Sequence, residues 1–448
     1  MRLLVSLERR LVLFHSEWMG EETSGMGWQG GGGRELAGRA EVCCGQRCVA
    51  HGDGFTVVWG KMMSVTGCRW IARRLQGRRF YFALSLALAL ALVSGAPKMA
   101  VAQAGFFLGA DVSALDSPGR RPLPSYQEDG KPSDEVTILK RHGWTAFRVR
   151  VFVAPVRNAP DNTLENAIPL AKSIKAAGAT LVLDLHFSDT WADPQHQEIP
   201  VAWREMDINA LAKAWEKHAY DTVKALKDAG AMPDIVQIGN EITPGAAWPL
   251  AQVRQPSSKQ PAPQGYDDGV QWKHLTLLLK AGIRGVNKAA GRTKPRIAIH
   301  IDKGGHWDTT EWYFDHIEAA HVHYDIIAQS FYPEWGHGTL DQVWDNMNRC
   351  AKRYDRDFLV VETGYGKSHI PDNTCMMWPQ TPEGRLQFMA DIISMVKKAP
   401  RGLGVMYWAP EWQAWNDDGS PGPVVSVLDQ LASLSGTPAS HVPTAVNP

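Results

Sequence analysis

Between Gly105 and Leu431 the sequence alternates short apolar runs with stretches of helical period, and this alternation limits the architecture more than any other feature. The strand candidates are 106–112, 146–153, 180–187, 235–241, 296–301, 326–331, 358–362 and 404–408. Amphipathic segments 167–177, 208–229 and 272–289 lie between them. Gly178 and Gly230 follow two of these helices, where a left-handed cap is wanted. Runs that are apolar on both faces suit buried parallel strands, and strands alternating with helices build α/β folds. Eight such units in the 344 residues after position 104 fit a single catalytic domain, one (β/α)8 TIM barrel with long loops. An open doubly wound sheet would bring a glycine-rich phosphate loop after an early strand, and none is present.

In such a barrel the chemistry sits at the carboxyl ends of the strands. Two strands end on a glutamate: Ile235-Val-Gln-Ile-Gly-Asn-Glu241 and Phe358-Leu-Val-Val-Glu362. The other ends carry Asp111, Arg148 with Arg150, Asp184 with His186, Asp189 and Trp191, His300 with Asp302, Tyr332, and Trp408. Strand alternation puts Arg148 and Arg150 on one face, and Asp184 and His186 on one face. Any single member reads as a satisfied rim group. A rim built only for folding would not need so many desolvated charges. Paired carboxylates in a cleft suit glycoside hydrolysis, one group protonating the leaving oxygen while the other attacks or activates water. Burial and like charge would keep one carboxyl protonated, and arginines would hold the other ionised.

Other chemistries fit less well. Asp184, His186, His300 and Asp302 are types that bind divalent metals, but no tight ligand motif such as HExxH occurs. No nucleophile-elbow motif follows a strand, which disfavours Ser/His/Asp hydrolysis. Asp315-His316-Ile-Glu-Ala-Ala-His321-Val-His323 reads as a helix and its exit rather than a ligand set. The chain is formally neutral, with 47 Lys and Arg against 47 Asp and Glu. Residues 1–104 hold 13 basic against 7 acidic residues, leaving 34 against 40, a net of −6, in the remainder. A mildly acidic body without a basic stripe gives no reason to expect nucleic-acid binding. Several of the 18 tryptophans stand beside the strand ends, where their faces suit an apolar ligand surface.

The amino-terminal region reads differently. Arg69, Arg73, Arg74, Arg78 and Arg79 precede an apolar run from Phe80 to Val93, and Ala102-Gln-Ala104 supplies a small-residue cleavage site. Residues 69–104 thus resemble a secretory signal peptide, with an apolar run too short for a membrane span of roughly 20 residues. Residues 1–68 then form an extension with no assigned fold, and translation is expected to start near Met62 or Met63. Cys43, Cys44, Cys48 and Cys68 fall before the cleavage site. Cys350 and Cys375 remain, as one disulfide or as two thiols. The barrel is expected over 105–432, Gln255 to Gln264 as an exposed loop within it, and 433–448 as a disordered tail.

The body also resembles glycoside hydrolase family 53, the arabinogalactan endo-β-1,4-galactanases of glycosidase clan A. The likeness rests on Gly109-Ala-Asp-Val-Ser113, Arg148-Val-Arg150-Val-Phe-Val, Asp184-Leu-His-Phe-Ser-Asp-Thr-Trp-Ala-Asp-Pro194 and Ile238-Gly-Asn-Glu-Ile242. It continues through Trp248-Pro-Leu250, His300-Ile-Asp302, Ser330-Phe-Tyr-Pro333, Val361-Glu-Thr363 and Tyr407-Trp408. The resemblance implies a retaining endo-galactanase with Glu241 as acid/base and Glu362 as nucleophile. Asn240 would bond the sugar 2-hydroxyl, and Trp408 would stack beneath the reacting ring. Asp111, Arg150, Asp184, His186, Asp189, Trp191, Trp248, His300, Asp302 and Tyr332 complete the expected substrate-binding set. It implies a secreted or periplasmic monomer acting on pectic galactan, with no stable membrane association. No cofactor is implied, and calcium, which the family would allow, has no recognisable ligand run. A mannanase or xylanase of the same clan, or a non-catalytic carbohydrate-binding protein, are the alternatives. Departures cluster in expected cleft loops: Tyr365-Gly366 without the usual proline, Ala409 where an acid is common, and a longer turn at Lys303-Gly-Gly-His306.

Overall fold

Each of the eight apolar runs becomes a strand: β1 (Phe107–Asp111), β2 (Ala146–Val151), β3 (Thr180–Leu185), β4 (Ile235–Ile238), β5 (Arg296–Ile301), β6 (Ile326–Phe331), β7 (Asp357–Thr363) and β8 (Gly402–Trp408). The computed structural model describes residues 105–113, 126–155, 162–258, 262, 264–366, 377–412, 414–416 and 418–434. The strands close into a barrel in chain order, every neighbouring pair parallel, with β8 returning to β1. The strands β1 to β4 stop one to three residues short of their expected ends, where the chain leaves the ladder to build loops.

A helix follows each strand: α1 (Glu135–Arg141), α2 (Leu164–Ala176), α3 (Ile208–Asp228), α4 (Asp268–Ala290), α5 (Trp307–Ala319), α6 (Leu340–Tyr354), α7 (Pro382–Lys398) and α8 (Val427–Leu434). Side chains at the starts of six helices accept from otherwise unpaired backbone N–H groups, including Asp134, Thr163, Asp207, Asp267 and Thr381. At α6, Thr339 and Gln342 form a reciprocal capping box. Gly178 and Gly230 adopt the left-handed conformation expected after α2 and α3, with φ of 64° and 77°. Helix α8 extends to Leu434, two residues past the expected boundary at 432. Helices α3 and α4 pack closely because Gly285 has no Cβ; one there would lie 2.1 Å from the Glu216 carbonyl.

The barrel interior changes character along its axis. Phe107, Ala146, Val182, Ile235, Ala298, Ile326, Leu359 and Leu403 form an apolar plug at the amino-terminal end. Two residues further along the strands, alternation brings Arg148, Asp184, Gln237 and His300 inward. These four are fully buried. The polar layer floors the cleft, and apolar packing beneath it supplies the rigid support that precise positioning needs.

Residues 1–104, with the expected extension, signal and four cysteines, lie outside the described residues, as do Cys375 and 435–448. Cys350 is buried in α6, its thiol 3.7 Å from Asn346 Oδ1.

Candidate active site

Two backbone irregularities aim the paired glutamates. After β4, Gly239 turns the chain with φ of 84°, and Glu241 itself sits in the left-handed region at φ 46°. A Cβ at Gly239 would approach Ile242 Cγ2 to 2.8 Å. A non-glycine residue held there costs about 1–2 kcal/mol, a strain that functional positions commonly carry. In β7, Val360 pairs with Gln329 while Glu362 pairs with Ser330, so Val361 is an extra residue in a β-bulge. The bulge turns Glu362 into register with Ser330. Phe187, Lys303 and Ala409 are also left-handed, each following an expected site residue: His186, Asp302 and Trp408.

Arg148 is the hub. Its Nη1 donates to Glu362 Oε1 at 2.6 Å and Asp111 Oδ2 at 3.0 Å. Its Nη2 donates to Asp184 Oδ2 at 2.6 Å and Asn240 Oδ1 at 2.7 Å. Burial disfavours the cation, but Asp184, Glu362 and Asp111 outweigh it and hold Arg148 firmly protonated. Burial likewise penalises the Asp184 anion, yet Arg148 and His186 keep its pKa below the usual range. Gln237 Nε2 donates to Asp184 Oδ1 at 2.7 Å and ties this layer to β4.

The glutamates occupy unlike nests. Among the described residues no cation pairs with Glu241; Ser330 Oγ donates to its Oε1 at 2.5 Å. Ser330 in turn lies 2.9 Å from His300 Nε2, and the Glu241 backbone N–H donates to His300 Nδ1 at 3.3 Å. Burial, then the charges of Glu362 and Asp302, push the Glu241 carboxyl well above its ordinary value. Burial, reinforced by Arg148, pushes His300 well below its own, so the imidazole is neutral. Glu362 has Arg148 on one oxygen and the Tyr332 hydroxyl on the other at 3.3 Å. Its pKa is raised as well, because burial and the carboxylates of Asp111 and Asp184 exceed the pull of Arg148. Arg148 is the cation that opposes this rise, as expected of an arginine beside the second carboxyl. Tyr332, buried and beside both carboxylates, keeps its proton and remains a donor.

Several expected substrate contacts are hydrogen-bonded within the protein. Asp111, Asp184 and His300, at most 1% exposed, are spent on the Arg148 and Ser330 networks. Asp302 is clasped by Thr243, whose hydroxyl donates to Asp302 Oδ1 and accepts from its backbone N–H. Both oxygens of Asp189 accept backbone amides, from Ala154 and Val201, so this residue pins the loop after β3. These bonds let the five residues position their neighbours in the site. Asn240 keeps one amide N–H after donating the other to the Ala192 carbonyl. The His186 ring packs 4.5 Å from Phe152. Arg150 lies over Trp191 at 4.4 Å and Trp408 at 5.9 Å, forming one wall of the mouth. Trp248 stands on the loop after Glu241, its indole N–H bonded to Pro244.

Ser330 and Gln237 received no individual role from sequence. The available signal was a polar side chain at an inward position of an otherwise apolar strand. Among the described residues, no three His, Cys, Asp or Glu side chains group as metal ligands would.

A buried carboxyl biased toward its acid form beside a second carboxyl held by arginine is the pair that glycosidic bond cleavage requires. Residues 107–436 match the pattern of Glycosyl hydrolase family 53. An uncharacterized protein of Niallia circulans is 35% identical over 330 residues, 71% of this chain and 87% of its own. The arabinogalactan endo-β-1,4-galactanase of Humicola insolens is 31% identical over 317 residues, 68% of this chain and 90% of its own. A solved fungal β-1,4-galactanase superposes with a TM-score of 0.63 at 28% identity, covering 72% of this chain and 99% of that one. The family 53 catalytic domain of Ignisphaera aggregans gives 0.61 at 26% identity, covering 76% and 98%. The chain belongs to glycosyl hydrolase family 53 and is a glycoside hydrolase.

Proposed function

We propose that the protein is an endo-acting galactanase that hydrolyses internal β-1,4 bonds of galactan with retention of anomeric configuration. The observation that carries this reading is Ser330, hydrogen-bonded to Glu241 and in register with Glu362, which ties the two carboxyls into one site. Glu241 is the general acid. With Oε1 held by Ser330, its proton belongs on Oε2, from which it passes to the glycosidic oxygen as that bond breaks. Glu362 attacks the anomeric carbon and forms a glycosyl ester. The Glu241 carboxylate then takes a proton from water, whose oxygen displaces Glu362. Arg148 and Tyr332 stabilise the carboxylate of Glu362 before attack and after release. Asn240, His186, Arg150, Trp191, Trp248, Tyr332 and Trp408 are the proposed sugar contacts.

The catalytic domain is proposed to run from residue 105 through α8 and to act as a monomer without cofactor or nucleic-acid partner. Residues 69–104 are proposed to export it, leaving an enzyme without stable membrane association. The galactan relatives named above support the choice of substrate. A reducing-end assay on linear β-1,4-galactan, β-mannan and xylan tests it. The expected result is short galacto-oligosaccharides released early, with the β-anomer formed first. Cleavage of mannan or xylan but not galactan would overturn the substrate.

A further inference from the structure

Strands β4 and β7, which carry the two glutamates, divide the barrel rim into two arcs. A polysaccharide cleaved between those carboxyls must cross from one arc to the other, its two halves resting on opposite sides. The arc of β8, β1, β2 and β3 holds the wall of Arg150, Trp191 and Trp408 described above. The arc of β5 and β6 presents a different aromatic, Trp335, which is 51% exposed. Leaving so large an apolar side chain in water gains nothing for folding.

Trp335 is nonetheless held in place. It ends a one-turn helix, Pro333–Trp335, directly after β6, with Gly336 reversing the chain at φ 72°. Its ring lies 4.4 Å from that of Tyr332, whose hydroxyl reaches Glu362. The long turn after β5 buttresses this loop. Gly304 N–H donates to the Ser330 carbonyl and Gly305 N–H to the His337 carbonyl, both at 2.9 Å. His306 Nε2 lies 2.9 Å from the Gly336 carbonyl. A Cβ at Gly305 would sit 2.6 Å from the His337 carbonyl, so the two loops interlock only through glycine. The length of Lys303-Gly-Gly-His306 thus has a structural purpose: it fixes an exposed indole against Tyr332, whose hydroxyl reaches Glu362.

We propose that Trp335 is the stacking platform for the sugar on the leaving-group side of the cleaved bond, taking the apolar face of a galactopyranose unit. This rests on the galactanase reading and on Trp408 lying beneath the reacting ring, which assigns the opposite arc to the aglycone.

The test compares Trp335→Ala and Trp335→Phe with the wild type on two substrates: linear galactan and β-galactobiosyl fluoride. Fluoride is too small to reach Trp335, yet its departure still needs Glu362. The expected outcome for Trp335→Ala is a loss in kcat/KM on galactan of about tenfold or more. The fluoride should react at the wild-type rate, and Trp335→Phe should recover most of the loss. Equal losses on both substrates would overturn the proposal, since they would mean that Trp335 only shields Tyr332 and Glu362. No loss on galactan would overturn it too. Should the wild type cleave another β-glycan instead, the galactan reading fails, and the same comparison with that glycan and its fluoride still judges Trp335.

Discussion

Glu241 and Glu362 end two strands of one barrel, yet they are held by opposite means. Glu362 is gripped on both oxygens, by a fully buried arginine and a tyrosine hydroxyl. Among the described residues, the Glu241 carboxyl is hydrogen-bonded to a serine hydroxyl, under a neutral histidine, with the negative charges of Glu362, Asp302 and Asp193 acting on it. Both carboxyls are pushed up by burial, but only Glu362 has a cation to offset the cost. The difference supports the proposed roles: the group without a cation holds a proton longest, and the group beside Arg148 is the easier one to leave charged.

The largest expected effects break this asymmetry outright. Glu362→Gln should lower kcat on every substrate by about 10³-fold or more, as loss of a nucleophile does. Glu241→Gln should cost as much on galactan but far less on an activated glycoside whose leaving group needs no proton. Equal losses for Glu241→Gln on both substrates would break the proposed division of labour.

Ser330→Ala should have a smaller effect with a definite direction. The serine hydroxyl is the interaction that lowers the Glu241 pKa against burial and like charge. Removing it raises that pKa further, so the alkaline limb of the kcat/KM profile should move to higher pH. A limb that stays put, or moves down, would show that Ser330 does not govern the acid.

The smallest effect is on stability. A carboxyl with a raised folded-state pKa contributes fully below its unfolded value and loses that contribution as pH rises through the folded value. Buried Glu241 therefore destabilises the fold at neutral pH, and Glu241→Gln should melt a few degrees higher there. The gain should vanish below about pH 4, where the unfolded carboxyl is also protonated.

The barrel and its glutamates were legible in the sequence because both rest on local pattern. Apolar runs mark strands, and a polar residue directly after one marks the rim. The arrangement around them depended on register. The β-bulge at Val361 is one extra residue in a ladder, and no local preference announces it. Asp189 stood out because it follows a strand, but nothing local announced that its oxygens meet amides from two separate loops. Asp184 and His300 were placed correctly at strand ends, but their full burial and the networks they join followed from the register of neighbouring strands. Trp335 became distinct only when its exposure could be compared with the buried tryptophans Trp144 and Trp215.

The assignment of the two carboxyls is tested most directly by azide. With Glu362→Ala and an activated galactoside, azide can attack from the space the nucleophile left, and the account predicts an α-glycosyl azide. With Glu241→Ala, the glycosyl ester on Glu362 still forms, and azide entering from the acid/base side should give the β-glycosyl azide. The α product from Glu241→Ala and the β product from Glu362→Ala would contradict the account.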